Sequence, residues 1–430
     1  MNASPALHAD RLASASAWRM TFLLAQGGGS VILSAALSHI LDARAFAITS
    51  LAQGVLVIAQ TIGDFGLSQA AVTVLPARIA ASPAAAARLL AGAANAYFYA
   101  GAAAFLLTLA SVGLVPQAAL VPIVVSAPAA AAMVLLAGAD GLLRSQGEFR
   151  RPIAFAVASE LGGFIGIPVA LSTHSPAWTC AAVSAGTTLG AAGAVLTLRE
   201  FAGGARAARG FLRAATPLGL TQAFVVLCTR FDTLLAASLT GLVAAGTFEG
   251  DWRVYQLGQY AAGALATAAA PFIANRLGAN QLTQAFALLG RLQLRLLGVG
   301  LAAGALLYFA RWPLAHLLAG SLAVPVAHGL VFLAAVSPIA AVGIPAYYTL
   351  IALDGERLPV LGCFIVGAAV NLGLGPALAG ALHVHGFLIG CAAGTTVTSA
   401  MLLTRLALVI SGLRRRPAAP PRPRSVGKIG

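Results

Sequence analysis

Charge is what this sequence has least of. Asp, Glu, Lys and Arg make up 9% of its 430 residues, against roughly a quarter in a soluble domain. That deficit excludes water as the solvent for most of the chain. Acids are the scarcer sign, 12 against 26 bases, and the bases are nearly all arginine, with Lys428 the sole lysine. We read that bias as genome composition. Cysteine is rare as well. Cys180, Cys228, Cys363 and Cys391 all lie in apolar segments without CxxC spacing, which argues against a disulfide framework or a thiolate metal site. No Walker sequence, GxSxG, HExxH or external acidic pair occurs, so neither an enzyme nor a chain driven by its own ATP hydrolysis is indicated. No cofactor is implied. The segment from Met1 to Trp18 has no h-region, and the first apolar run is too long for a signal peptide and has no small-residue cleavage site. It reads as a mature helix.

What is present is apolar. Hydrophobic residues account for 59% of the chain, and mean hydropathy is +0.89. A spanning helix needs about 20 predominantly apolar residues. Twelve segments qualify, near 19–40, 46–74, 88–113, 118–143, 152–171, 177–198, 211–239, 243–274, 287–310, 324–353, 358–381 and 386–411. The expected fold is an all-α polytopic membrane protein. With the N-terminus inside, 22 of the 26 basic residues fall in cytoplasmic segments and only Arg44 and Arg311 fall outside. The positive-inside rule then places both termini in the cytoplasm. The net charge of +14 reflects this topology and does not imply nucleic-acid binding.

A shift of 208 residues superposes Gly147-Glu148 on Gly355-Glu356, Pro168 on Pro376, and Ala185-Gly186-Thr187-Thr188 on Ala393-Gly394-Thr395-Thr396. The halves therefore read as six-helix repeats. Six is even, so the pseudo-twofold axis runs along the membrane normal, with the site between two lobes. The lobes are expected at 1–213 and 214–412, followed by a basic, Pro-rich cytoplasmic tail at 413–430 that faces anionic lipid.

The few intramembrane charges mark the candidate site. At about 100° per residue, Glu249, Arg253, Gln256 and Tyr260 form one stripe of the eighth helix, with Glu249 and Arg253 placed to pair. In the seventh helix Gln222, Thr229 and Thr233 share a face, with Arg230 on its shoulder and Asp232 about 200° away from Arg230. Arg19, Gln26 and Ser30 repeat that spacing in the first helix. Asp251 is expected near the external end, solvated. Asp64 is either a lumenal carboxylate or a helix-break cap. Glu160 is a mid-span proton carrier or is neutralised by a neighbour. Each stripe also has a structural reading, with Glu249–Arg253 a buried pair that locks helices. His383 and His385 fall in an external loop with little to indicate a metal site.

Several stretches carry a family resemblance. Ala45-Phe46-Ala47-Ile48, followed by Gly63-Asp64-Phe65-Gly66-Leu67, looks like the second helix of the polysaccharide transporters, the O-antigen flippase type of the multidrug/oligosaccharidyl-lipid/polysaccharide flippase superfamily. Gly141 to Arg150 is similar to that family's loop after helix four. Arg230-Phe231-Asp232, Ala245-Gly246-Thr247-Phe248 and Trp252-Arg253-Val254 resemble its R-x-D, G-x-Y and Y-R-L motifs, with Phe248 and Trp252 in place of tyrosines. The resemblance implies a two-lobed, twelve-helix fold in the inner membrane. It also implies alternating access that moves a polyprenyl-diphosphate-linked oligosaccharide, with the polysaccharide polymerase machinery as a partner. Arg19, Arg230 and Arg253 then hold the diphosphate, since Arg suits phosphate, and Asp64, Glu160, Asp232 or Glu249 binds H⁺ or Na⁺. A multidrug or metabolite exporter of the same superfamily is the alternative. A major-facilitator transporter is disfavoured because Pro76-Ala77-Arg78-Ile79-Ala80 lacks that family's basic loop. A membrane-embedded sugar polymerase or ligase lacks its external catalytic loop here.

Overall fold

In a bilayer every backbone polar group must be satisfied within the chain, and a helix does this locally. The computed structural model describes residues 17–415 except 19, 74, 76–85, 147, 149, 203–205, 279–280 and 354, and no strand occurs among them. The first half comprises a π-helical turn at Leu24–Gly28 running into α1 (Gly29–Ile40), α2 (Ala43–Asp64), α3 (Leu67–Thr73), α4 (Ala86–Ala110), α5 (Leu120–Ser145), α6 (Arg150–Gly163), α7 (Gly166–Thr173), α8 (Pro176–Gly190) and α9 (Ala192–Phe201). The second half comprises α10 (Arg206–Thr229), α11 (Asp232–Leu239), α12 (Leu242–Gly278), α13 (Leu282–Phe309), α14 (Arg311–Ala319), α15 (Ala323–Ile351), α16 (Arg357–Leu382) and α17 (Val384–Arg415).

These helices form the twelve spans read from the sequence, several of them broken. α2/α3, α6/α7 and α10/α11 are each one span interrupted by a few residues, and α8/α9 bend by 42°. By length and hydropathy, nine spans and this bent pair qualify as membrane-crossing among the described residues. The two spans outside that count are the first and the eighth. α1 is short, and α12 carries Glu249, Asp251, Arg253, Gln256 and Gln259. The polar cargo that lowers the hydropathy of α12 is the same cargo that builds the site.

The two halves repeat each other in packing. In the first, Gly186 of α8 lies against the backbone of Gly162 in α6. In the second, Gly394 of α17 lies 2.6 Å, measured from an ideal Cβ, from the Gly367 carbonyl of α16. Both are crossings of a fifth and a sixth span at small residues, where backbones approach closely. The apolar core forms two layers, each containing residues of both halves. One includes Leu37, Phe46, Phe248, Leu322 and Phe387. The other includes Leu67, Leu142, Phe211, Leu350 and Leu406. The polar stripe of α12 at Gln256–Tyr260 falls between them.

The break after α2 has a packing cause. Phe65 and Gly66 both have positive φ, 44° and 73°, and this turn presses on Gly219 of α10 from the other half. A Cβ on Gly66 would strike the Gly219 amide, and a Cβ on Gly219 would lie 2.7 Å from the Phe65 ring. Gly66→Ala should therefore lower stability by about 2 kcal/mol or more, combining an unfavourable φ with a backbone clash. Thermal unfolding of the detergent-purified protein checks this, and an unchanged transition would contradict the contact.

Candidate functional site

Glu249 is the centre of the site. It is 1% exposed, and both of its oxygens are engaged. Oε1 accepts a hydrogen bond from Thr233 Oγ1 at 2.5 Å. Oε2 accepts one from Arg230 Nη1 at 3.1 Å and lies 3.9 Å from Arg253 Nε. The sequence spacing places Glu249 against Arg253 alone. The structure makes Arg230 its nearer cation. The reason is the interruption between α10 and α11, which sets Arg230 at a helix break.

Each arginine has further partners. Arg230 donates to Gln256 Oε1 at 2.8 Å and lies 5.3 Å over the Trp252 ring. Trp252 in turn packs with Phe248 and Tyr255. Arg253 donates to Gln53 Oε1 at 2.6 Å and to Ser34 Oγ. Those two residues sit on α2 and α1, in the other half of the chain. Gly54 of α2 makes this approach possible, since an ideal Cβ there would lie 2.7 Å from Glu249 Oε1. Two arginines share one carboxylate, so the cluster carries one excess positive charge.

Beside the cluster lies a cavity of about 290 Å³, lined by Arg230, Glu249, Arg253, Gln256 and Tyr260 from the second half. The first half contributes Ser30, Gln53, Gln60, Thr61, Ser159, Glu160 and Thr187. Tyr260 lies over Gly27, and the Glu160 side chain lies over Gly29. The glycine run at the π-helical turn thus makes room for both. Glu160 faces the cavity without a hydrogen bond or ion pair among the described residues.

The remaining sequence candidates sit elsewhere. Gln222 donates to Tyr347 Oη at 3.2 Å and is not part of the cavity lining. Asp64 caps α3, accepting from the Ser68 amide at 3.2 Å and its hydroxyl at 2.7 Å, away from the lining. Asp232 is fully buried and accepts from Asn371 Nδ2 of α16 at 2.7 Å. Its other oxygen has no partner among the described residues. Arg19 lies outside the described residues, as does the side chain of Gln26.

Asp251 departs from the expectation of a solvated residue. It is 0% exposed, with neither oxygen hydrogen-bonded among the described residues. It packs onto Gly329 of α15. The neighbouring Gly250 lies near Val326 and Ala319, so α14 and the start of α15 close over this part of α12. His383 links α16 to α17, and His385 packs its ring on His328 and Phe332. No group of three or more metal-ligating side chains occurs among the described residues. Sequence reasoning missed Ser34 and Gln53, because their partner lies 219 and 200 residues away in the chain.

An inward-facing multidrug-resistance MATE family transporter of the MOP superfamily superposes with a TM-score of 0.73 at 17% identity, over 95% of this chain and 100% of the other. The fold is the MATE fold. A MATE transporter from Vibrio cholerae gives 0.70 at 18% identity, over 94% and 97%. A MOP superfamily transporter from Pyrococcus furiosus, whose binding pocket is described as having reverse polarity that suggests a different function, gives 0.71 at 17%, over 94% and 96%. In sequence, the MatE family model matches residues 217–376, which include the cluster residues Arg230, Glu249, Arg253 and Gln256. No curated protein matches the chain.

Removing Glu249 leaves two buried guanidiniums without their carboxylate. Breaking a buried pair typically costs about 3–5 kcal/mol, so Glu249→Gln should destabilise the protein by that order. Gly54→Ala, which only displaces the carboxylate, should cost less. Thermal unfolding of both variants checks the ranking, and wild-type stability in Glu249→Gln would contradict the account.

Proposed function

We propose that this chain is a membrane exporter that works by alternating access on an anionic, amphipathic substrate. The specific form we favour is a polyprenyl-diphosphate-linked oligosaccharide carried across the cytoplasmic membrane, with both termini cytoplasmic. The observation that carries the reading is the pair of buried arginines at the cavity, sharing a single carboxylate. Arg presents five N–H donors in a rigid fork suited to phosphate, and the recorded hydrogen bonds use two on each guanidinium. Donors therefore remain for an incoming anion. The cavity of about 290 Å³ lies at the lower edge of the roughly 300–1,000 Å³ found for drug-sized sites. In this conformation it takes a diphosphate or a single sugar, and an oligosaccharide needs the lobes apart. The lipid tail stays in the bilayer.

The second reading is a multidrug exporter, and the similarity of the fold to multidrug-resistance MATE structures favours it. The described pocket of reverse polarity in the Pyrococcus furiosus relative supports different cargoes on this fold. The sign of the charge on the substrate separates the two readings. Ion coupling would rest on the carboxylates that lack a cationic partner. Glu160 faces the cavity. Asp232 is held at the α10/α11 break, the kind of interrupted helix where transporters bind ions.

Arg230→Ala or Arg253→Ala should abolish export of the lipid-linked sugar while the protein still folds in the membrane. Normal surface polysaccharide in both variants, with lost resistance to cationic drugs, would replace this reading by the multidrug one. Glu160→Gln removes the unpaired carboxyl group from the cavity wall and should abolish coupling of transport to a proton gradient. Proton-driven transport at the wild-type rate in this variant would remove Glu160 as a proton carrier.

A further inference from the structure

The longest unassigned charge feature lies on the outside of the bundle, on α13. This helix packs against α12, α14 and α15. Its exposed face carries Leu294, Leu297 and Leu301, at 72%, 38% and 55% exposure. A ridge of exposed leucines on a spanning helix faces lipid. Arg291 and Arg295 are exposed on the same face, one helical turn apart. Neither meets a carboxylate, a carbonyl or a ring among the described residues.

Their depth follows from the far end of the helix. There Tyr308 and Phe309 are exposed, Arg311 lies 4.9 Å from the Tyr308 ring, and Trp312 is 40% exposed. Such an aromatic belt marks one membrane–water boundary. A hydrocarbon core of about 30 Å is about 20 helical residues, which counts back from Phe309 to about Gly290. Arg291 therefore lies at the hydrocarbon edge of the arginine-rich end, and Arg295 lies one turn deeper. The sequence reading counted them with a cytoplasmic segment at the start of the span near 287–310, and α13, which begins at Leu282, carries them further into the helix. Gly290 and Gly298 flank the pair, and a Cβ on either would meet nothing within 4 Å. The space beside the guanidiniums is open on both sides.

Guanidiniums this close to the edge reach the headgroup layer by extending toward the interface, and a spacing of one turn suits a phosphate bridged by two forks. We infer that Arg291 and Arg295 form a docking site for the headgroup of an anionic phospholipid from the leaflet at the arginine-rich end. This site is separate from the central cavity and does not depend on the identity of the transported substrate. The bound lipid anchors the hairpin of α12 and α13 in that leaflet.

Native mass spectrometry of the delipidated full chain, titrated with phosphatidylglycerol or phosphatidylcholine, tests this. Wild type should bind phosphatidylglycerol more tightly than phosphatidylcholine. R291Q/R295Q should weaken the first bound phosphatidylglycerol about tenfold and leave phosphatidylcholine unchanged. R291K/R295K should retain most of the preference, which shows that the fold tolerates changes at these positions. Equal binding of the two lipids by wild type, or equal phosphatidylglycerol binding by R291Q/R295Q, would overturn the inference. Displacement of the lipid by millimolar inorganic phosphate would also overturn it, by showing a site for soluble anions.

Discussion

The rest of the structure depends on one shared carboxylate. Glu249 neutralises Arg230 at 3.1 Å and helps to neutralise Arg253 at 3.9 Å. Without it, two guanidiniums would sit unpaired between the two apolar layers of the core, where an uncompensated charge is costly. Because one acid serves two bases, the balance is incomplete by one charge. Ser34, Gln53 and Gln256 supply neutral acceptors for the arginines. Neutral acceptors are easily exchanged for a stronger one, such as a phosphate oxygen. A site that is held together yet short of anionic charge is one that a substrate anion can complete.

The same interactions join the two halves of the chain. Arg253 belongs to α12 in the second half, and its acceptors belong to α1 and α2 in the first. Glu249 rests against Gly54 of α2. Under the proposed alternating access the halves move relative to each other, and this clasp changes partners during the cycle. A ligand shifts such an equilibrium only through a difference in its affinity for the two arrangements. An anion that takes the Arg253 donors from Ser34 and Gln53 has that difference built in. Binding and movement are then one event at one residue.

The sequence makes the fold legible because a bilayer leaves few choices. Runs of about 20 apolar residues give the spans, and the 208-residue repeat gives the two halves, whose fifth and sixth spans cross at glycines in both copies. The stripe at Glu249, Arg253, Gln256 and Tyr260 is legible because helical spacing fixes which residues share a face. Three things are not. The break at Arg230–Phe231 falls in an apolar run with no proline at that point, and it turns Arg230 toward Glu249. The burial of Asp251 depends on α14 and α15 closing over α12, which no local pattern announces. The acceptors Ser34 and Gln53 are isolated polar residues in other spans, and only the tertiary fold brings them to Arg253.

On the proposed function, an anion completes the cluster and thereby releases the clasp between the halves. Distance distributions between spin labels placed on one helix of each half, recorded with and without a diphosphate-bearing lipid, test it most directly. The distribution should shift in the wild-type background and stay unchanged when Arg253 is replaced by Gln. A distribution unmoved by the anion, or moved equally in the Arg253→Gln background, would contradict it.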